Sequence, residues 1–344
     1  MPGGPRHTTA ISCTHCFDKL EVFVLRFRAA TATLALLALA ACSDSQAPDD
    51  ALTGKTDDRT GLPVEPSLRV ATEPVANLTV EPGFQITLRF VTATTAGQQT
   101  AFLTARAKWE GIITGDVPEV DGIIPPKRCG NSFPTPKYTD GVDDLLIDVL
   151  LQPIDGPGGV LGAAGPCLAR SADLLSFYGI MFFDTDDLAD LEAEGILDEV
   201  IVHEMGHVLG LGSLWNFGRS LVQGTGADPR FIGPRGVAAY ASIGGKGISI
   251  PVEEDGGPGT AFSHWDEETF GPELMTGFIG LGSSPLSVMS IESMADLGYQ
   301  VNPAAAERFR VSGPQERAEF ATASSARVDL AKRMRAIRPV AVVE

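Results

Sequence analysis

The chain has 344 residues, a formal net charge of −18 at pH 7, 44% hydrophobic residues and 20% charged ones. That acidic balance argues against nucleic acid and anionic membrane surfaces as partners. The length is read as one unit with two subdomains around a cleft rather than as two separate domains.

Near the start, Arg26 and Arg28 precede an Ala/Thr/Leu run over residues 29–41. These are the charged and apolar regions of an export signal, and the run is too short to span a bilayer. It ends Leu39-Ala40-Ala41-Cys42, which resembles a bacterial lipobox. Cys42 is therefore a candidate for lipidation, with plain secretion beside a chance cysteine as the alternative. Residues 1–41 are read as a presequence. The expected location is the cell envelope, with the membrane met only through a lipid anchor, or the exterior. The signal starts most naturally near Val24, which leaves Cys13-Thr14-His15-Cys16 upstream of it with no role assigned.

Residues 42–75 are rich in Asp, Pro, Thr and Ser and lack apolar periodicity, so a flexible tether is expected. Residues 77–95 alternate as strands about Pro82-Gly83, with Leu78 and Val80 before it and Ile86, Leu88 and Phe90 after it. Phe102, Ala105, Trp109, Ile112 and Ile113 share one face of a helix over 98–113, which Gly115 and Pro118 end. Residues 144–151 and Tyr178–Phe183 read as strands. The second is either a sheet edge for an extended ligand or an ordinary interior strand. Cys129 and Cys167 form an even pair in an exported chain, which favours a disulfide over two free thiols.

The chemistry concentrates in His203-Glu204-Met205-Gly206-His207. Leu197, Val200, Ile201, Met205, Val208 and Leu209 predict a buried helix around it, and Gly210 and Gly212 mark where that helix can end. Residues four apart share a helix face, so His203 and His207 can grip one ion while Glu204 reaches the next position without binding it. The chain holds five histidines. Removing His7 and His15 with the presequence leaves His203, His207 and His264, the three protein ligands that a hydrolytic zinc site needs. Asp266 and Glu267 are the next best third ligands. The reaction class is then hydrolysis by metal-activated water, with Glu204 as general base.

Residues 216–263 are Gly-rich and read as a long insertion, functional or mobile. Glu253, Glu254, Asp255, Asp266, Glu267 and Glu268 are a weak candidate calcium set against a solvated acidic surface. Beyond Asn302 the chain turns Ala-rich and more basic, so 303–344 is read as a tail, poorly ordered or a surface helix.

The run His203 to Gly210, then Ser213-Leu214-Trp215, His264-Trp265-Asp266, Glu273-Leu274-Met275-Thr276-Gly277 and Ile291 to Tyr299 together resemble the leishmanolysin-like metzincin zinc proteases over roughly residues 99–302. Ser213 stands where other metzincins carry the third histidine, and the resemblance assigns that role to His264 after the insertion. It implies zinc held by His203, His207 and His264, Glu204 as catalytic base, Gly210 as the turn glycine, and Met275 as the methionine turn beneath the metal. It also implies an α+β fold: a twisted mixed sheet packed on helices, an HExxH active-site helix, and a catalytic domain over 76–302. That domain divides into an N-terminal subdomain to about 212, the insertion 216–263 and a C-terminal subdomain 264–302. The substrate class is protein or peptide. Two competing readings are a catalytically silent surface adhesin with the same fold, and a secreted zymogen whose N-terminal segment blocks the cleft, where an unpaired Cys129 or Cys167 could serve as the metal-blocking ligand.

Overall fold

The computed structural model describes residues 54–344 except 77, 80, 225, 227, 258, 281, 314 and 318–326. Cys42, the presequence and the first part of the tether range lie outside the described residues. In chain order the structure begins with β1 (Leu68–Val70), β2 (Ile86–Phe90), α1 (Ala96–Ile112), β3 (Val120–Gly122), β4 (Leu145–Leu151), β5 (Gly162–Arg170) and β6 (Ser176–Phe183). Two helices follow, α2 (Thr185–Glu194) and α3 (Leu197–Leu209). After them come β7 (Val222–Gln223), β8 (Arg230–Phe231), α4 (Pro234–Ser242), β9 (Ile250–Pro251), α5 (Glu267–Phe270), β10 (Phe278–Gly280) and α6 (Val288–Leu297). The chain closes with β11 (Arg327–Asp329), α7 (Leu330–Arg333), β12 (Met334–Ala336) and β13 (Ala341–Val343).

The fold is α+β around a twisted, mixed six-stranded sheet in the order β12-β5-β6-β4-β2, with β13 also on β5. β2, β4 and β6 are mutually parallel, and β5 turns back antiparallel to β6. β4 reads as a continuous apolar run because both of its faces are covered. Leu145, Ile147, Val149 and Leu151 point into the core shared with α1 and α3, while Leu146 and Leu150 point into a second core. That second core holds the disulfide Cys129–Cys167, which fastens the loop after β3 to β5.

Helix α1 starts on a capping box, Thr95 and Gln98 each satisfying the other's backbone N–H. It buries Phe102, Ala105 and Trp109, as its periodicity predicts. Strand β6 lies between β5 and β4, so it is an interior strand and not the sheet edge.

Three expectations about the periphery are corrected. Residues 54–75 belong to the fold: Val64 bridges Val342, β1 pairs with β3, and Asp57 and Glu65 are buried. Polar turn chemistry holds this stretch without apolar periodicity, since Asp57 accepts from the backbone of Arg59 and Thr60 and from the Thr60 hydroxyl. Among the described residues before Pro82-Gly83 no strand partners β2. The 216–263 insertion carries its own three-stranded sheet, β7-β8-β9, and helix α4, which packs on α6. Part of the 303–344 range joins the sheets: β11 pairs with β10, and β12 and β13 join the main sheet, with Ala341, Val342 and Val343 fully buried. Its strands are three residues long, too short to show a period.

Candidate metal centre

Helix α3 is stabilised at its start by Asp198 and Glu199 against the dipole. It is buried along its length from Val200 to Leu209. Gly210 ends it at φ +121°, its N–H donating to the carbonyls of Gly206 and His207. The four-residue spacing sets the His203 and His207 rings 4.7 Å apart between centroids.

The third histidine is delivered by the closed base of the insertion. Trp215 at its start lies against Trp265 at its end, 4.6 Å between ring centroids, and Phe231 of β8 packs on both. This aromatic cluster offsets the entropy of closing so long a loop. Gly212, at φ +73°, brings the turn after α3 hard against Ser263: a Cβ there would lie 1.8 Å from the Ser263 carbonyl oxygen. His264 follows immediately. Ser213 uses its hydroxyl to hold the His207 carbonyl at 2.6 Å.

All three Nε2 atoms meet at one point. His203 and His207 are 2.9 Å apart, His207 and His264 2.9 Å, and His203 and His264 3.1 Å. Each Nδ1 faces a backbone carbonyl: Leu274 at 2.7 Å for His203, Leu211 at 2.8 Å for His207 and Thr260 at 3.1 Å for His264. A carbonyl can only accept, so Nδ1 carries the proton in all three rings and each Nε2 presents a lone pair. Burial holds the His207 and His264 rings down to about 3 and the His203 ring well below its ordinary value, so none is charged near neutrality. Three proton-free nitrogens pointed at one another repel, and a cation among them turns that repulsion into coordination. The donor set fits zinc. It is one of two sets of three or more metal-binding side chains that converge among the described residues.

Glu204 is buried beside the triad, its Oε1 4.0 Å from His203 Nε2 and without a hydrogen-bond partner. Burial pushes its carboxyl up to about 8. Met275 forms a floor under α3. Its Sδ and Cε lie 3.3 and 3.2 Å from where a Gly206 Cβ would stand, with Trp109 at 2.9 Å on the same spot. Glycine is therefore the residue that the helix can carry there. The turn around Met275 is locked by buried Glu273. That carboxylate accepts from the Met275 N–H (2.6 Å), the Ser287 N–H (3.0 Å), and the hydroxyls of Ser287 (2.6 Å) and Ser290 (2.5 Å). Ser290 in turn accepts from Trp265 Nε1 at 2.8 Å. Leu274, whose carbonyl orients His203, sits inside this network.

The structure thus brings His203, Glu204, His207 and His264 together with Gly210 and Met275 around them. Cys129 and Cys167 are bonded to each other, which removes the thiol that a cysteine-blocked latent form would require. The six acidic residues considered for calcium line one surface cavity, and three of them have protein partners. Glu253 accepts from the Asp255 and Glu267 N–H groups, Asp266 caps α5, and Glu267 pairs with Arg327.

Sequence reasoning did not find three parts of the site. Glu273 is one, and its signal is a carboxylate followed by Ser287 and Ser290 at a helix start. The carbonyls that fix the tautomers carry no side-chain signal at all. Arg338, from the supposed tail, donates to the Ser213 carbonyl at 2.8 Å and had none either. The second acidic set, Asp116, Asp143 and Asp144, was also unforeseen. There Asp144 serves the fold, accepting from the Val117 and Gln85 N–H groups at 2.8 and 2.6 Å. No family model matches this sequence. No curated protein matches it either.

Proposed function

We propose that the chain is a zinc-dependent endopeptidase of the leishmanolysin-like metzincin type, with Glu204 as general base. One observation carries the reading: three proton-free imidazole nitrogens converge beside a buried carboxylate that has no other partner. His203, His207 and His264 would hold the ion, and the Leu274, Leu211 and Thr260 carbonyls keep their rings turned toward it. Bound zinc supplies Lewis-acid chemistry, making water acidic near neutrality and polarising a peptide carbonyl.

Glu204 takes the proton of the attacking water and passes it to the amine that leaves. Without an ion, burial alone pushes that carboxyl up to about 8. A divalent cation beside it draws that value back toward neutrality and restores the base for the first task. Met275 and the Gly210–Gly212 turn support the finer assignment to a metzincin-like fold. An exported or lipid-anchored location is proposed from the presequence alone. No helix among the described residues is long and apolar enough to cross a membrane.

The test is hydrolysis of an unfolded protein substrate by the wild type and Glu204→Ala, with zinc quantified in both. The variant should keep one zinc and lose roughly 10²–10⁴-fold in turnover. Near-normal turnover in Glu204→Ala refutes the assignment.

A further inference from the structure

The space beside the candidate centre is small. The cavity above His207, His264 and Glu204 measures about 20 Å³, room for about one water. Sites that take even a small organic ligand measure about 300–1,000 Å³. Besides Glu204, His207 and His264, the cavity is lined by Ser213, Ser263, Gly259 and Ala164 and by the C-terminal stretch Met334–Arg338.

That stretch lies as an added strand on the outer edge of β5. β12 runs parallel to it, from Met334 opposite Gly162 to Ala336 opposite Ala164, and the Ile337 N–H donates to the Ala164 carbonyl at 3.1 Å. Two glycines make room for it. A Cβ on Gly165 would stand 2.4 Å from the Ile337 carbonyl oxygen, and one on Gly259 would stand 2.9 Å from that of Met334. Arg338 then ties the stretch to the Ser213 carbonyl, in the turn that ends α3.

Its two ends are held unequally. Downstream, β13 is sealed between β5 and residues 63–65: Ala341, Val342 and Val343 are fully buried, and the Val342 N–H donates to Pro63 O. Within the stretch itself Met334 and Ile337 are buried, while Arg335, Ala336 and Arg338 are exposed. A fully buried strand therefore continues from one that is only partly buried beside the candidate centre.

We propose that Met334–Arg338 is a strap occupying the peptide-binding edge of β5, and that an extended polypeptide reaches the centre by taking its place there. This rests on the peptidase reading above. An extended chain is the ligand chemistry that fits, because the edge under the strap offers main-chain groups in strand register. The bonds that the strap releases are remade by the incoming strand, so exchange leaves no buried donor or acceptor orphaned.

The test uses the full chain, zinc-loaded, in four forms: wild type, Arg338→Ala, Ala336→Cys, and Ala164→Cys/Ala336→Cys oxidised to cross-link the strap to β5. Two rates are read: hydrolysis of an unfolded protein substrate, and removal of zinc by 1,10-phenanthroline. The cross-linked form should keep its zinc, lose about 100-fold in hydrolysis against Ala336→Cys, and release zinc more slowly. Arg338→Ala removes one hydrogen bond from an exposed side chain and should speed both rates by about tenfold. Hydrolysis by the cross-linked form at the Ala336→Cys rate overturns the strap. If all forms are inactive while the cross-link slows zinc removal and Arg338→Ala speeds it, the strap stands and the peptidase reading fails. Unchanged zinc removal and hydrolysis in Arg338→Ala and in the cross-linked form overturn the strap as well.

Discussion

Replacing Gly212 with alanine should damage the metal centre from outside it. Gly212 sits at φ +73°, and its missing Cβ would fall 1.8 Å from the Ser263 carbonyl oxygen. The left-handed backbone costs an L-residue roughly 1–2 kcal/mol. Relieving the contact means moving the turn or Ser263 by more than about 1 Å, at a typical overpacking cost of about 1–3 kcal/mol. The sum is about 2–5 kcal/mol of folding stability. Ser263 precedes His264, whose Nε2 lies 2.9 Å from that of His207 and 3.1 Å from that of His203. Zinc affinity should therefore fall by about 10–100-fold, as it does when groups that orient a ligand are lost. Urea unfolding of the zinc-free variant gives the first quantity, and competition with a chromophoric chelator gives the second. A folded Gly212→Ala protein that binds zinc as the wild type does would refute the claim that this turn positions the third ligand.

Met275→Ala should cost about 2–5 kcal/mol by opening a cavity beneath α3, read as a lower urea midpoint with one zinc still bound. Replacing Cys129 and Cys167 by serine should cost roughly 3–4 kcal/mol, because the bond closes a loop with a sequence separation of 38; an unchanged midpoint would mean that the unfolded chain gains nothing from losing it. Burial pushes Asp144 from an ordinary 3.8 up to about 7, so between those values the folded state binds the proton that the unfolded chain releases. That contribution to stability is full below about pH 4 and is lost as pH rises through about 7. The wild-type urea midpoint should therefore fall over this window more steeply than that of Asp144→Asn, and parallel profiles would contradict it.

Helix α3 was legible because its signals are local. Apolar positions from Leu197 to Leu209 carry a helical period, His203 and His207 share a face by spacing, and a histidine-poor chain leaves His264 as the one remaining partner. The strands β4 and β6 were legible for the same reason, as unbroken apolar runs. What could not be read was set by distant contacts. Residues 54–75 look like a solvated linker because their order comes from Asp57 turn bonds and from Val342, far along the chain. The strands β12 and β13 are three residues each and exist because β5 has an open edge. The insertion looked loose because its glycines hide an aromatic base whose members, Trp215, Phe231 and Trp265, are well separated in sequence.

That aromatic base has an optical consequence. The chain contains three tryptophans, and all are fully buried at the border of the centre. Trp109 presses on Gly206 between the two helix histidines, Trp265 is covalently next to His264, and Trp215 lies against Trp265. Nearly all the intrinsic emission of the folded protein therefore originates within a few residues of the imidazoles. A coloured or paramagnetic divalent ion placed among them would quench that emission by energy transfer. The molecule thus carries an unlabelled fluorescent gauge of when such an ion takes the place proposed for zinc.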